Sequence, residues 1–162
     1  QPRSRGLGDV YKRQAKLGLG VILGGPVATQ EAAARVYREH ALADAPPIIS
    51  SLNIAAADTA AAARDLLLPE AYAKVRAQST GEFATLRPAG ELDMDALTGQ
   101  QRRRIEEALA HDVWGTVEGV GEKLRGVGKR LGISEFVVTG DMPDVAGRAR
   151  SEELLASLQG EN

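Results

Sequence analysis

Two histidines, His40 and His111, and no cysteine are all that the 162-residue sequence offers for imidazole and thiol chemistry. Lack of cysteine removes disulfides, thiolate catalysis and cysteine-held zinc or iron–sulfur centres, and two histidines cannot build an imidazole-rich metal site. The histidines stand about 70 residues apart, with no carboxylate or nucleophile placed to make a triad evident, so each reads as a helix-face residue. Glu91, Asp93 and Asp95 alternate as in a calcium loop, but Ala96 and Arg102 stand where that loop needs Gly and its closing Glu. A solvated acidic loop is the better reading. Gly18-Leu19-Gly20-Val21-Ile22-Leu23-Gly24 and Gly126-Val127-Gly128-Lys129-Arg130-Leu131-Gly132 approach dinucleotide-binding glycine spacing. The first brackets a strand and the second lies within a helix, whereas the fingerprint requires the turn from strand to helix. Gly128-Lys129 is followed by Arg130 where a phosphate loop needs Ser or Thr. The sequence therefore nominates no catalytic residue, no cofactor ligand and no metal ligand.

Bulk composition narrows the partners. Twenty Lys and Arg against 22 Asp and Glu give a net charge of −2, without the basic footprint of a nucleic-acid or membrane-surface protein. Arg102-Arg103-Arg104 is followed by Glu106-Glu107, and the i, i+4 spacing pairs these charges on an exposed helix face. At 43% hydrophobic and 26% charged the chain suits a soluble globular domain. No apolar run approaches the roughly 20 residues of a membrane helix, and no secretory run follows the first basic residues, so a cytoplasmic location is expected. Eighteen glycines exceed ordinary usage of about 7%.

The elements that would carry a site alternate. Ala15 to Leu19 read as the last turn of a helix closed by Gly18, and Gly20-Val21-Ile22-Leu23 as a strand ending in Gly24-Gly25-Pro26. Thr29 caps a helix from Gln30 to about Ala43, with Ala33, Val36, Tyr37 and His40 on one face. Pro46-Pro47 ends that connection. Ile48 to Ala56 is a second strand, and Asp58 caps an Ala-rich helix that runs past Pro69 to about Arg76. Gln78 to Leu97 has the character of a mobile loop, and Thr98-Gly99-Gln100-Gln101 is a capping box opening a helix that buries Ile105, Ala108 and Leu109. Trp114 falls between two helices as a core residue. Thr116 caps a helix with Val117, Val120, Leu124, Val127 and Leu131 in an i, i+3, i+4 register. Its internal glycines each cost up to about 1 kcal/mol relative to Ala, so this helix depends on packing. Gly132 stops it. Glu135 to Thr139 is a third strand, and Asp144 caps a last helix with Leu154, Leu155 and Leu158 as its core stripe.

Alternation of this kind implies a parallel sheet with right-handed crossovers. In the second strand Ser51, Asn53 and Ala55 share a face of small and polar residues, which suits the inside of a (β/α) barrel near its mouth. Three strands cannot close a barrel. The sheet is either open or the last part of an eight-stranded barrel. Ligands bind at the carboxyl ends of strands in such folds, which singles out Gly24, Gly25, Asn53 and Thr139 as mouth-lining, substrate-side residues. Residues 1–14 read either as a flexible basic tail or as a translated read-through without a physical role. The domain then occupies residues 15–158 and a tail residues 159–162.

The stretch from Gly115-Thr116 through Leu131-Gly132 and Glu135-Phe136-Val137-Val138-Thr139 to Arg148-Ala149-Arg150-Ser151-Glu152-Glu153-Leu154-Leu155-Ala156 resembles the carboxyl-terminal end of the bacterial-luciferase-like flavin monooxygenases. Upstream, Ala15-Lys16-Leu17-Gly18-Leu19-Gly20 and Ile54-Ala55-Ala56-Ala57-Asp58-Thr59 with Ala63-Arg64 are similar to two further segments of that family. Val145 departs where relatives commonly carry His, and Glu152 where an aromatic is common. The resemblance implies the carboxyl-terminal three strand–helix units of a (β/α)8 TIM barrel. It further implies reduced FMN, or a deazaflavin, held mostly by residues that precede Ala15, with dioxygen and a small organic substrate. A flavin reductase, a dimer built on upstream helices and a lid role for residues 78–97 belong to the same implication. On that reading the chain has no activity by itself. The rival is a small open α/β ligand-binding or assembly module without catalysis.

Overall fold

The computed structural model describes residues 3–81 and 83–158. In chain order these form α1 (Arg3–Lys16), β1 (Val21–Leu23), α2 (Val27–Arg38), β2 (Ile48–Ala56), α3 (Ala60–Thr80), a 3₁₀ turn at Ala89–Glu91, α4 (Gly99–Leu109), β3 (Val113–Gly115), α5 (Val117–Leu131), β4 (Glu135–Thr139) and α6 (Val145–Ser157). Val21, Ile22 and Leu23 pair in parallel with Ile48, Ile49 and Ser50. Val113, Trp114 and Gly115 pair in parallel with Ile54, Ala55 and Ala56. β4 also pairs with β2. The chain divides into two compact units, Gln1–Leu52 with Arg125–Val138 and Asn53–Leu124 with Thr139–Asn162.

In the first unit Ala15, Val21, Leu23, Ala33, Ala34, Tyr37 and Ile48 form the core, with Tyr11 and Ile133 packed against it. The sequence up to Gln14 shows no periodicity, yet it is helical from Arg3, because Tyr11 and Ala15 supply enough apolar contact to hold the helix against α2. The helix closes as expected at Gly18, whose φ is +65°. α2 starts two residues ahead of Thr29. Its N-cap is Pro26, with φ −55° and no side-chain hydrogen bond, and it stops at Arg38. A proline already holds the φ of a first turn, so the hydroxyl cap is not needed there. Ala33 and Tyr37 are buried as the pattern requires, while Val36 and His40 are half-buried. Tyr37 satisfies its hydroxyl by donating to the Leu19 carbonyl at 2.7 Å.

Helix α5 has a specific reason for one of its glycines. A Cβ on Gly128 would sit 2.8 Å from the Ile133 carbonyl oxygen, while one on Gly126 would meet nothing within 4 Å. The Ile133 N–H in turn donates to the Gly128 carbonyl at 3.0 Å, so the helix end folds back onto Gly128. Arg38 donates to the Leu131 carbonyl and, at 3.0 Å, to the Gly132 carbonyl, placing a cation on the unpaired end of the helix.

The second unit is built on α3. Ala63, Leu66, Leu67, Leu68, Ala71 and Val75 of that helix pack with Ala55, Leu97, Ile105, Leu109 and Met142. Thr59, not Asp58, caps α3 by accepting from the Ala62 N–H at 3.1 Å, and the helix continues to Thr80 before Gly81 closes it with φ +74°. Asp58 is turned instead toward Arg150 of α6, at 3.2 Å. The capping box forms as read, with Thr98 and Gln101 exchanging bonds of 2.9 and 3.2 Å. The fourth strand, β3, has no sequence signal: three residues are too few for a period, and Trp114 lies on this strand rather than between helices. The Trp114 indole N–H donates to the Leu109 carbonyl at 2.9 Å, and the Lys123 ammonium lies 5.0 Å from the ring centre. The charges of α4 pair off the helix, Glu106 with Arg64 of α3 and Arg102 with Asp95. In α6, Leu154, Leu155 and Leu158 are only half-buried, and the residue that docks the helix is Ser151, 1% exposed. Its hydroxyl accepts from the Ala56 N–H at 2.9 Å, inside the protein.

Replacing Ser151 by Ala strands the buried Ala56 N–H and is expected to cost about 1–3 kcal/mol in urea unfolding. In α5, Gly126→Ala is expected to stabilise by up to about 1 kcal/mol and Gly128→Ala to destabilise, a change of sign two residues apart that thermal melting reads directly.

Candidate functional site

Asn53 sits on β2 three residues before its end, and Thr139 is the last residue of β4. The Thr139 hydroxyl donates to Asn53 Oδ1 at 3.0 Å. Of the four residues singled out at strand ends, these two are brought together. Asn53 is half-buried, and on its far side Nδ2 donates to Glu70 Oε2 of α3 at 3.4 Å. The same Glu70 oxygen accepts from the Asp141 backbone N–H at 3.1 Å, so α3 holds the turn after β4 by one carboxylate. Ala55, on the same side of β2, is fully buried among α3 residues. In this unit the face read as small and polar is therefore covered by a helix, since Ala55 is small enough to let α3 approach.

A second carboxyl completes the group. Asp112, just before β3, has its pKa pushed up to about 6: burial disfavours its charge first, and the Glu70 carboxylate adds to that. A hydrogen bond from Asn53 and the charges of Lys74 and His111 act in the opposite direction. The Asn53 amide thus engages the Glu70 carboxylate and the Thr139 hydroxyl. Sequence reasoning found Asn53 and Thr139 from their places on strands, but Glu70, mid-helix, and Asp112, in a turn, carry no spacing that marks them.

Gly24 and Gly25 belong to the first unit and are exposed. Gly25 has φ +85°, which glycine adopts freely. Its carbonyl accepts from the Gln30 side-chain amide at 2.8 Å. Gln30 is 1% exposed, donates also to the Ser51 carbonyl at 3.4 Å, and accepts from the buried Ser50 hydroxyl at 2.6 Å. The loop after β1 is thereby fastened to β2 within its unit. His40 lies 3.0 Å from the Val36 carbonyl through Nδ1, within its own helix end, and His111 is exposed. Asp93 accepts from the Ala96 N–H at 3.1 Å, so the alternating acids shape a local turn. Among the described residues no group of three or more His, Cys, Asp or Glu is placed to hold a metal ion, and no helix is long and apolar enough to cross a membrane.

A flavin phosphate needs cationic or N–H donors around it. The side chain that Asn53 and Thr139 gather from α3 is the Glu70 carboxylate, which repels an anion. Asn53 and Thr139 do not fit the phosphate end of a flavin.

Parallel strands joined by helices, with polar side chains collected at strand ends, define an α/β protein of the kind that places its chemistry at the carboxyl edge of the sheet. No protein-family model matches the sequence, and no curated protein matches it. Among solved structures the chain is similar to apo-MsnO8, with a TM-score of 0.74 and 21% identity over 96% of this chain and 49% of that one. It is similar also to the monooxygenase RslO1 from Streptomyces bottropensis, with a TM-score of 0.52 and 22% identity over 93% of this chain and 44% of that one. A third is the oxygenating constituent of 3,6-diketocamphane monooxygenase from Pseudomonas putida, a type II Baeyer–Villiger monooxygenase solved with FMN. Its TM-score is 0.55 at 18% identity, over 92% of this chain and 43% of that one. The chain spans about half the length of these structures. At such identities the likeness is one of fold.

The raised Asp112 pKa has a consequence for stability. An unfolded chain releases this proton near pH 4 and the folded one near pH 6, so between those values folding takes up a proton and this contribution to stability falls as pH rises. Asp112→Asn removes that dependence. The difference in urea midpoint, variant minus wild type, is expected to be larger at about pH 7 than at about pH 4.5.

Proposed function

We propose that the chain is the carboxyl-terminal part, about three strand–helix units with the additional short strand β3, of a (β/α)8 barrel in a luciferase-like flavin-dependent monooxygenase. The observation that carries this reading is the likeness to MsnO8 over 96% of this chain but 49% of the other. A fold match that consumes one chain and half of its counterpart is what a part of a larger barrel produces. Two solved monooxygenases with the same partial coverage, one of them with FMN, support the chemistry.

The sequence motifs support it as well. The Ala-Ala-Asp-Thr segment and the Arg-x-Arg-Ser segment meet in the second unit, Ser151 on the Ala56 N–H and Arg150 on Asp58. Two segments that resemble one family thus form one joint.

On this reading the intact protein is a bacterial cytoplasmic oxidoreductase that uses reduced flavin and dioxygen on a small organic substrate. FMN is the flavin, with a deazaflavin as the alternative, and it is held mainly by residues that this chain does not supply. Gly24, Gly25 and Thr139 belong to the substrate side of the barrel mouth, where Asn53, turned toward Glu70 of α3, holds the Thr139 hydroxyl, and residues 78–97 act as its lid. A reductase delivers the flavin and the intact protein is a dimer. The unaccompanied 162-residue chain is inactive.

Exposed apolar side chains in the first unit fit a missing remainder. Ile22, between buried Val21 and Leu23, is 59% exposed, and Val137 and Val138 are 38% and 49% exposed. Strand residues of this type are normally covered in parallel α/β sheets.

The test is a fluorescence titration of FMN with the 162-residue chain, beside the same titration of the product of the gene extended upstream of Ala15. One-to-one binding only by the extended product, together with five further strand–helix units in its sequence, is expected. Stoichiometric binding by the short chain, or an upstream sequence without strand–helix alternation, overturns the reading.

A further inference from the structure

The direction of each hydrogen bond around Asn53 follows from what its neighbours are able to donate. Glu70 of α3 presents a carboxylate, which accepts and cannot donate. Its Oε2 lies 3.4 Å from Asn53 Nδ2 and 3.1 Å from the Asp141 backbone nitrogen, so both partners donate to it. That orients the Asn53 amide, because turned over it would set Oδ1 against a carboxylate oxygen with no proton between them. With Nδ2 committed to α3, Oδ1 faces the Thr139 hydroxyl at 3.0 Å, and of these two oxygens only the threonine's carries a proton. Thr139 therefore directs its single proton inward. Its oxygen keeps its lone pairs, to which no group donates among the described residues, and Thr139 is exposed at the end of β4. The strand end is fastened on the side beyond it. Met142 is 8% exposed in the core of the unit, and a Cβ on Gly140 would stand 3.0 Å from Leu67 Cδ2 and 3.6 Å from Asn53 Cβ.

We propose that Glu70 is a positioning residue and Thr139 a specificity-determining one: through Asn53, Glu70 keeps the Thr139 oxygen a hydrogen-bond acceptor only, so this point takes a ligand that presents an O–H or N–H. The inference rests on the proposed place of Thr139 at the substrate side of the mouth, and it narrows the substrate to a small organic molecule carrying a donor group. A free threonine hydroxyl rotates to serve either a donor or an acceptor. Here the amide has taken the proton, so a ketone or ether oxygen arriving at Thr139 meets a lone pair and loses a bond to water without gaining one. A donor arriving there exchanges its water for the protein and loses nothing. Glu70 makes that choice. A neutral amide in its place can meet either end of Asn53, and with Asn53 turned over Thr139 accepts from Nδ2 and releases its own proton outward.

The test titrates the 162-residue chain with phenol and with anisole, two probes that share a ring and of which only phenol can donate, and follows the Thr139 and Asn53 amide resonances by NMR. A saturable shift at Thr139 is expected with phenol, at an affinity roughly 2- to 10-fold above that for anisole, the range one net hydrogen bond supports. Thr139→Val, of the same shape without the hydroxyl, removes the preference, and Thr139→Ser retains it. Glu70→Gln brings the two probes to within about 2-fold, in a variant that thermal melting shows to be folded. Equal binding of both probes by the wild type, no saturable shift at Thr139 with phenol, or a preference that survives either Thr139→Val or Glu70→Gln overturns the assignment. No flavin enters this test. A missing preference beside normal FMN binding by the extended product overturns the Thr139 assignment alone, whereas failure of the FMN titration overturns the barrel reading and leaves the measured preference in place.

Discussion

Every strand described in this protein hydrogen-bonds to β2, and the rest of the structure depends on that one nine-residue segment. Its first three residues pair with β1 and its last three with β3, and β4 pairs with it as well. A backbone that serves so many partners must have its N–H and C=O groups accounted for at both ends. Ser151 takes the Ala56 N–H where the strand ends, and Gln30 reaches the Ser51 carbonyl nearer its start. Both side chains are polar and almost wholly buried, which is tolerable because each is bonded. The strand also belongs to both compact units, so its sequence meets two packing requirements in succession: Ile48 in one core and Ala55 in the other.

The same economy governs the polar group around Asn53. A half-buried amide has two donors and one carbonyl to satisfy, and here the Glu70 carboxylate takes one donor and the Thr139 hydroxyl bonds the carbonyl. Burial first, and the Glu70 carboxylate second, hold the Asp112 proton to higher pH than an ordinary aspartate keeps it. The chemistry available at this place is that of acceptors and a shared proton. Phosphate binding is foreign to it.

Helices were legible where a side chain does the signalling. The Thr98–Gln101 box, the Asp144 cap, the Gly18 and Gly132 stops and the apolar register of Ile105 and Leu109 all correspond to bonds, backbone angles or burial in the structure. What escaped was set by neighbours distant in sequence. α1 is helical because Tyr11 and Ala15 find a core, and β3 is a strand because the end of β2 offers it three partners. Asp58 gave up a capping role to Thr59 because Arg150, 92 residues away, engages it. Of the site, Asn53 and Thr139 could be named from their strand positions, whereas Glu70 and Asp112 could not, since a mid-helix glutamate and a turn aspartate look like solvated charges until folding sets them beside the same amide.

The sequence by itself determined the alternation of strands and helices, the lack of thiol and clustered-imidazole chemistry, and which strand ends are eligible to carry a site, because these follow from residue type and local period. Only the tertiary structure decided that Gly128 is required where Gly126 is not, that a serine rather than a leucine stripe docks the last helix, and that a mid-helix glutamate reaches both Asn53 and the turn after β4. Those outcomes depend on which atoms come within about 3 Å of one another. Contacts such as Ala56 with Ser151 and Asp58 with Arg150, 95 and 92 positions apart, are products of packing, and no local pattern encodes them.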